Sequence, residues 1–181
     1  AARAVETAAT ALGIAPPCRP GRRAMAALRN RIGLDRSPPP RVKSRAMTHT
    51  RIRPFNTRDT YPEQKLDNDL AQAVVAHGTT VFLRGQVAQD LDTSENVGIG
   101  DPAAQTHKVM QNIRDLLVEC GSDMSQLCRI VVYLTDIRHR EAVYRTMGGY
   151  FKGVHPVSTG IVVQALARPE WLVEIEATAV I

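Results

Sequence analysis

The residues best suited to chemistry lie near the end of the sequence, in the run Trp171–Ile181. Alternation there puts Val173, Ile175, Ala177, Ala179 and Ile181 on one face of a strand, and Leu172, Glu174, Glu176, Thr178 and Val180 on the other. Two carboxylates on so apolar a strand must meet water, a cationic partner or a cleft. Alternation alone leaves both a solvated face and a functional face open. Other chemistry is sparse. None of His49, His77, His107, His139 and His155 stands at helical ligand spacing to another His or Cys, so no metal site is expected. Cys18, Cys120 and Cys128 are an odd number without a CxxC pair. The last two fall on expected core elements and suit buried thiols in a reducing compartment. No phosphate loop, GxSxG elbow or dinucleotide fingerprint is present.

Charge is distributed unevenly. The net charge is +5, yet residues 1–46 hold ten Lys/Arg against Glu6 and Asp35, while residues 47–181 hold 13 basic against 16 acidic residues. An acidic body with only 4% aromatic residues argues against a nucleic-acid partner, for want of a stacking platform. Residues 1–46 contain Pro16-Pro17, Pro20-Gly21 and Pro38-Pro39-Pro40. We expect them to form a disordered basic extension upstream of a true start at Met47. A transit peptide, or an arm for nucleic acid or anionic membrane, is the other reading of the same composition. No span approaches the roughly 20 apolar residues of a membrane helix, so no membrane partner is expected.

The elements that must position the two glutamates follow from patterning over 47–181. Arg51–Pro54 suggests a short edge segment and 56–68 a loop. Leu70–Ala76 and Thr79–Gly85 suggest two strands joined through a His77-Gly78 hairpin turn. Asp101-Pro102 opens a helix whose stripe Val109/Met110, Ile113, Leu116/Leu117 and Cys120 is buried, and Gly121 closes it. Leu127–Leu134 is a strand by β-branched content, and Thr135-Asp136 caps a second helix over about 138–151. Val157–Leu166 and Trp171–Ile181 are two strands with a turn at 167–170, where Pro169 breaks the ladder. The order β-β-α-β-α-β-β, with two amphipathic helices for one sheet, predicts an α+β fold with both helices on one face. The uncovered face holds too much Val and Leu for solvent, so self-association is expected.

Several short motifs fall in one order over residues 70–181. They are Gly85-Gln86 after a hydrophobic strand, Asp101-Pro-Ala-Ala-Gln105, and Gln111-Asn112-Ile113. Val132-Tyr-Leu-Thr-Asp136, Tyr150-Phe151, Pro156 and Val173-Glu-Ile-Glu-Ala-Thr-Ala-Val180 follow. In this order and spacing the chain resembles the RidA/YjgF family of reactive-intermediate deaminases, which hydrolyse enamines and imines. The resemblance implies the YjgF-like (chorismate-mutase-like) mixed sheet with two helices on one face. It also implies a cytoplasmic homotrimer with a central β-barrel and active-site clefts between subunits, working without a cofactor. The implied substrate is a small carboxylate-bearing imine or enamine.

The implied site falls on this sequence residue by residue. The glutamate that holds the attacking water is Glu174, and the glycine beside the substrate is Gly85. The arginine that clamps the substrate carboxylate is replaced by Ser158, in a strand continuing to Gly160. An asparagine of the second helix is replaced by Tyr144, and an aromatic before the first matched strand by Leu70. A neutral hydroxyl does not replace a two-pronged guanidinium, worth about 1.5–3 kcal/mol per bond to a charged group. Arg84, adjoining Gly85, is the compensating cation the sequence offers first, and Arg168 is a second candidate. The structural alternatives are an Arg84 ion pair with Glu174 or Glu176 and a solvated Arg168. Three functions follow in descending order: imine/enamine hydrolysis, a trimeric ligand-binding protein without deaminase activity, and an endoribonuclease.

Overall fold

The structure, a computed structural model, describes residues 49–181. The expectation for residues 1–46 lies outside the described residues. Strands β1 (Thr50–Asn56) and β2 (Asp69–Val75) form an antiparallel ribbon. Between them the chain makes one helical turn at Thr57–Thr60 and a 3-10 turn at Pro62–Gln64. The expected edge segment is thus a seven-residue strand. Its Pro54 is tolerated because β1 pairs on one side only.

The main sheet contains β3 (Thr80–Gln86), β4 (Leu127–Leu134), β5 (Val157–Val162) and β6 (Val173–Val180) in the order β3-β6-β4-β5. Strand β4 runs parallel to β5, and the remaining pairs are antiparallel, so the sheet is mixed. Ala71 N–H donates to the Pro156 carbonyl at 3.1 Å, which ties the ribbon to the entrance of β5.

Two local expectations are overturned by long-range pairing. β2 and β3 do not form a hairpin, because they lie in different sheets. A tight two-residue turn of the commonest kind needs positive φ at both central residues, and only Gly78 (φ 144°) has it. Thr79 and Ile181 instead exchange backbone bonds at 2.6 and 2.9 Å, so the C-terminus captures the start of β3. Likewise β5 and β6 are separated by β4, and 163–172 is a crossing link rather than a hairpin turn.

Helix α1 (Pro102–Glu119) begins as the sequence predicts, with Asp101 accepting from Ala103 and Ala104 N–H. Gly121, at φ 73°, follows its end. Val109, Met110, Ile113 and Leu117 are fully buried, but Cys120 at the helix end is exposed, against expectation. Cys128 is buried in β4, and burial pushes its thiol up. Helix α2 (Arg140–Gly148) is shorter than expected. A 3-10 turn, Ile137–His139, precedes it with Asp136 accepting from Arg138 N–H. Both helices pack on the sheet face formed by Val81, Leu83, Ile130, Val132, Leu134, Val173, Ile175 and Ala177. Phe82, Val131, Tyr133, Glu174, Glu176 and Thr178 fall on the opposite face, which no described helix covers. No helix among the described residues is long and apolar enough to cross a membrane.

Candidate functional site

The open face carries the two glutamates. The entrance of β6 is fixed from α1: buried Gln105 donates to the Glu170 carbonyl and accepts from Leu172 N–H, both at 2.8 Å. Across from Glu176, β3 is irregular. Leu83 faces Ala177 and Gln86 faces Ile175, so Arg84 and Gly85 together oppose the single residue Glu176. Such a bulge bends a strand and re-aims its side chains. A Cβ added at Gly85 would lie 1.8 Å from Glu174 Oε1 and 2.9 Å from its Cγ. The glycine is therefore what lets the Glu174 side chain lie across β3.

The two carboxylates differ in occupation. Glu176 accepts from the Tyr133 hydroxyl at 3.3 Å, and burial, then the Glu176 charge, pushes the Tyr133 phenol up. Glu174 has no hydrogen-bond or ion-pair partner among the described residues. Arg84 is exposed and forms an ion pair with neither glutamate. It borders a cleft of about 270 Å³ with Gly85, Gln86, Asp90 and Asn112. Asp90 is held well below the usual carboxylate range by the Thr93 N–H and by Lys108, 3.0 Å away. That cleft therefore already contains a negative charge.

The other predicted residues assemble elsewhere. Ser158 and Gly160 stand opposite Ile130 and Val132 in β4, so they face the helices. Tyr144 of α2 reaches down to this strand: a Cβ at Gly160 would lie 2.1 Å from the Tyr144 hydroxyl oxygen. Burial pushes the Tyr144 phenol up, against the smaller opposing influence of Ser158 and Arg140, so it remains a neutral donor at ordinary pH. Ser158 Oγ is buried without a hydrogen bond of good geometry, though it is near enough to the Tyr144 phenol to affect it.

Arg140, one helical turn before Tyr144, was not among the residues the sequence nominated. Its guanidinium lies 4.7 Å from the Tyr144 ring centre, and Nη2 donates to Gln64 Oε1 at 3.2 Å. These groups, with Phe55, Leu66 and Leu70, line a second cleft of about 300 Å³. The available signal was the i, i+4 spacing of Arg140 and Tyr144 on one helix face.

The structure thus brings Gly85 and Glu174 together, with Arg84 next in the chain on a neighbouring cleft, and separately Tyr144, Ser158 and Gly160. Glu174 and the Ser158–Gly160 pair lie on opposite faces of one sheet, so they cannot both touch one small molecule within a single chain. Arg168 joins neither group. It sits 5.4 Å from the Trp171 ring centre, with Glu170 at 3.9 Å, as a solvated turn residue would. Among the described residues no group of three or more His, Cys, Asp or Glu is placed to hold a metal ion.

Comparison with known proteins agrees with this architecture. The Endoribonuclease L-PSP family model matches residues 64–181. Protein DfrA of Myxococcus xanthus is 40% identical over 111 residues, 61% of this chain and 83% of that protein. Human 2-iminobutanoate/2-iminopropanoate deaminase is 28% identical over 110 residues, 61% of this chain and 78% of that protein. The crystal structure of the Rid-family protein YyfB from Yersinia pestis superposes with a TM-score of 0.63 at 31% identity, covering 75% of this chain and all of that one. With its mixed sheet, its two helices on one face and a family match over most of the described residues, this chain belongs to the Endoribonuclease L-PSP (YjgF/RidA) family.

Proposed function

We propose that this protein hydrolyses 2-imino and 2-enamino acids to 2-oxo acids and ammonia, with Glu174 handling the attacking water. The observation that carries this reading is the contrast between the two glutamates. Glu176 is engaged by Tyr133, whereas Glu174 lies across Gly85 with no partner. A carboxylate so placed can accept a proton from water as its oxygen adds to the C=N carbon. An enamine first tautomerises to the imine; the proton taken from water then goes to nitrogen to give the carbinolamine, and as the C–N bond breaks the hydroxyl proton also moves to nitrogen, so ammonia leaves and the carbonyl forms. Water is the one co-reactant and no step changes an oxidation state, so the chemistry needs no redox cofactor. The substrate carboxylate needs a positive charge. Arg84 and Arg140, bordering the two groups of site residues, each offer one. The human relative's name states an activity of this kind.

The assembly we propose is a homotrimer with a central barrel and clefts between copies, in which the open face of one chain meets the α2–β5 side of the next. Two features support it. Glu174 and Ser158 point to opposite faces of the sheet. Phe82, on the open face, is 79% exposed, which favours burial against another copy. A second reading, a ligand-binding trimer without turnover, is favoured by the hydroxyl of Ser158 where a clamping arginine would otherwise stand. Ribonuclease activity is a weaker reading, because a phosphate backbone on the open face would meet Glu174 and Glu176. We place the reaction in the cytoplasm, beside an enzyme that releases imines.

The test generates imines in place with an amino-acid oxidase, in the presence of semicarbazide as a competing trap. Wild-type protein should divert the imine to 2-oxo acid and lower the semicarbazone yield. No effect with any of a panel of amino acids would overturn the reading and favour the ligand-binding one.

A further inference from the structure

We propose that Arg140, rather than Arg84, binds the substrate carboxylate, in the cleft that Tyr144, Ser158 and Gly160 shape between α2 and β5. The proposal takes its substrate class from the deaminase reading, but the anion site can be tested without turnover.

Charge environment separates the two arginines. The Arg84 cleft is shared with Asp90, and Glu174 lies against the adjoining Gly85. A carboxylate entering there would meet other carboxylates. The residues lining the Arg140 cleft are aromatic, aliphatic or neutral polar, with Arg140 the one charged group. A half-buried guanidinium surrounded in this way has no counter-charge among the described residues and favours an incoming anion. Among the described exposed arginines, Arg58, Arg114, Arg138 and Arg145 each have a carboxylate within ion-pair distance, whereas Arg53, Arg84 and Arg129 have none but are open to solvent. Among the described residues the partners of Arg140 are neutral, the Gln64 amide and the Tyr144 ring.

The remaining geometry suits a carboxylate. Gln64 and the Tyr144 ring hold the guanidinium from two sides and occupy one of its five N–H donors, leaving the others for a two-pronged contact. The Tyr144 hydroxyl and the buried Ser158 hydroxyl are further donors on the same cleft wall. Gly160 has no side chain to fill that wall, and a Cβ there would displace the Tyr144 hydroxyl. The cleft thus offers a charge, two hydroxyls and an apolar lining from Phe55, Leu66 and Leu70, which fits a short aliphatic 2-oxo or 2-imino acid.

The experiment measures binding of 2-oxobutanoate to the full chain by calorimetry or ligand-observed NMR. Arg140→Gln should weaken binding at least about tenfold, the loss expected when charge-assisted bonds are removed. Arg140→Lys, which keeps the charge without the fork, should lose less, and this conservative variant covers the case in which Arg140→Gln folds poorly. Arg84→Gln should change affinity no more than about threefold. Loss of binding in Arg84→Gln with affinity kept in Arg140→Gln would overturn the proposal. So would wild-type protein that binds no 2-oxo acid at millimolar concentration. Wild-type protein that binds 2-oxobutanoate through Arg140 yet leaves imines untouched would refute the deaminase reading and leave the anion site standing.

Discussion

Gly85 and Gly160 do the same thing on opposite faces of one sheet: each lets another residue's side chain lie against a strand. At Gly85 the neighbour is the far end of Glu174, a flexible carboxylate on the open face. At Gly160 it is the hydroxyl of Tyr144, on a ring buried under α2. Because close-packed interiors do not yield as surfaces do, the same added methyl should have different consequences at the two positions. At Gly85 it should move a reacting group at little structural cost. At Gly160, itself exposed, it should push against the buried Tyr144 ring and reshape a binding cleft.

The largest effect should come from the group that Gly85 makes room for. Glu174→Gln should lower kcat at least about a thousandfold while leaving the melting temperature unchanged, whereas Glu176→Gln should cost less than about tenfold. Steady-state rates beside thermal melts check this pair. Equal losses at both positions would erase the distinction drawn from the Tyr133 hydrogen bond.

Next comes Gly85→Ala, which should lower kcat/KM about a hundredfold, since a displaced water-binding carboxylate costs about 2.7 kcal/mol of transition-state stabilisation. Its melting temperature should remain near that of the wild type. Gly160→Ala should be milder on rate but lower stability by about 1–3 kcal/mol through overpacking against Tyr144. Denaturant titration should show Tyr144→Phe in the same chain returning much of that stability, because the hydroxyl is the atom struck first.

The smallest effect on activity belongs to a third glycine. A Cβ at Gly148 would lie 2.4 Å from the Asp67 carbonyl oxygen, which is backbone and cannot swing aside. Gly148→Ala should destabilise the fold while the remaining folded protein keeps wild-type kcat. A rate defect there would mean that the Gly148–Asp67 contact also holds the cleft-lining residues Phe55, Gln64 and Leu66 in place.

What the sequence shows of this comparison depends on how local each feature is. The alternation of β6, the Asp101 cap and stripe of α1, and the β-branched run of β4 are written in neighbouring residues, and they appear where patterning puts them. The pairing of β3 with β6 and of β4 with β5 joins distant segments, and no local pattern distinguishes it from two hairpins. The Glu174–Gly85 group was legible through motifs. The Arg140 cleft was not, because its wall is assembled from β1, the 57–66 segment, β2, α2 and β5, which no local pattern joins. Cys120 falls on an apolar stripe, yet the last turn of α1 runs past the sheet and leaves it exposed.

The central claim is that the two faces contribute to one site, supplied by different copies of the chain. Complementation tests it most directly. A Glu174→Gln chain and a chain carrying both Arg140→Gln and Gly160→Ala are each nearly inactive alone. They are denatured together in equal amounts and refolded. If each site takes its glutamate from one copy and its α2–β5 cleft from the next, random assembly restores roughly a quarter of the sites, and activity should approach that fraction of wild type. Activity no higher than the mean of the two parents, in a mixture shown by native mass spectrometry to contain both chains in one assembly, would contradict the account.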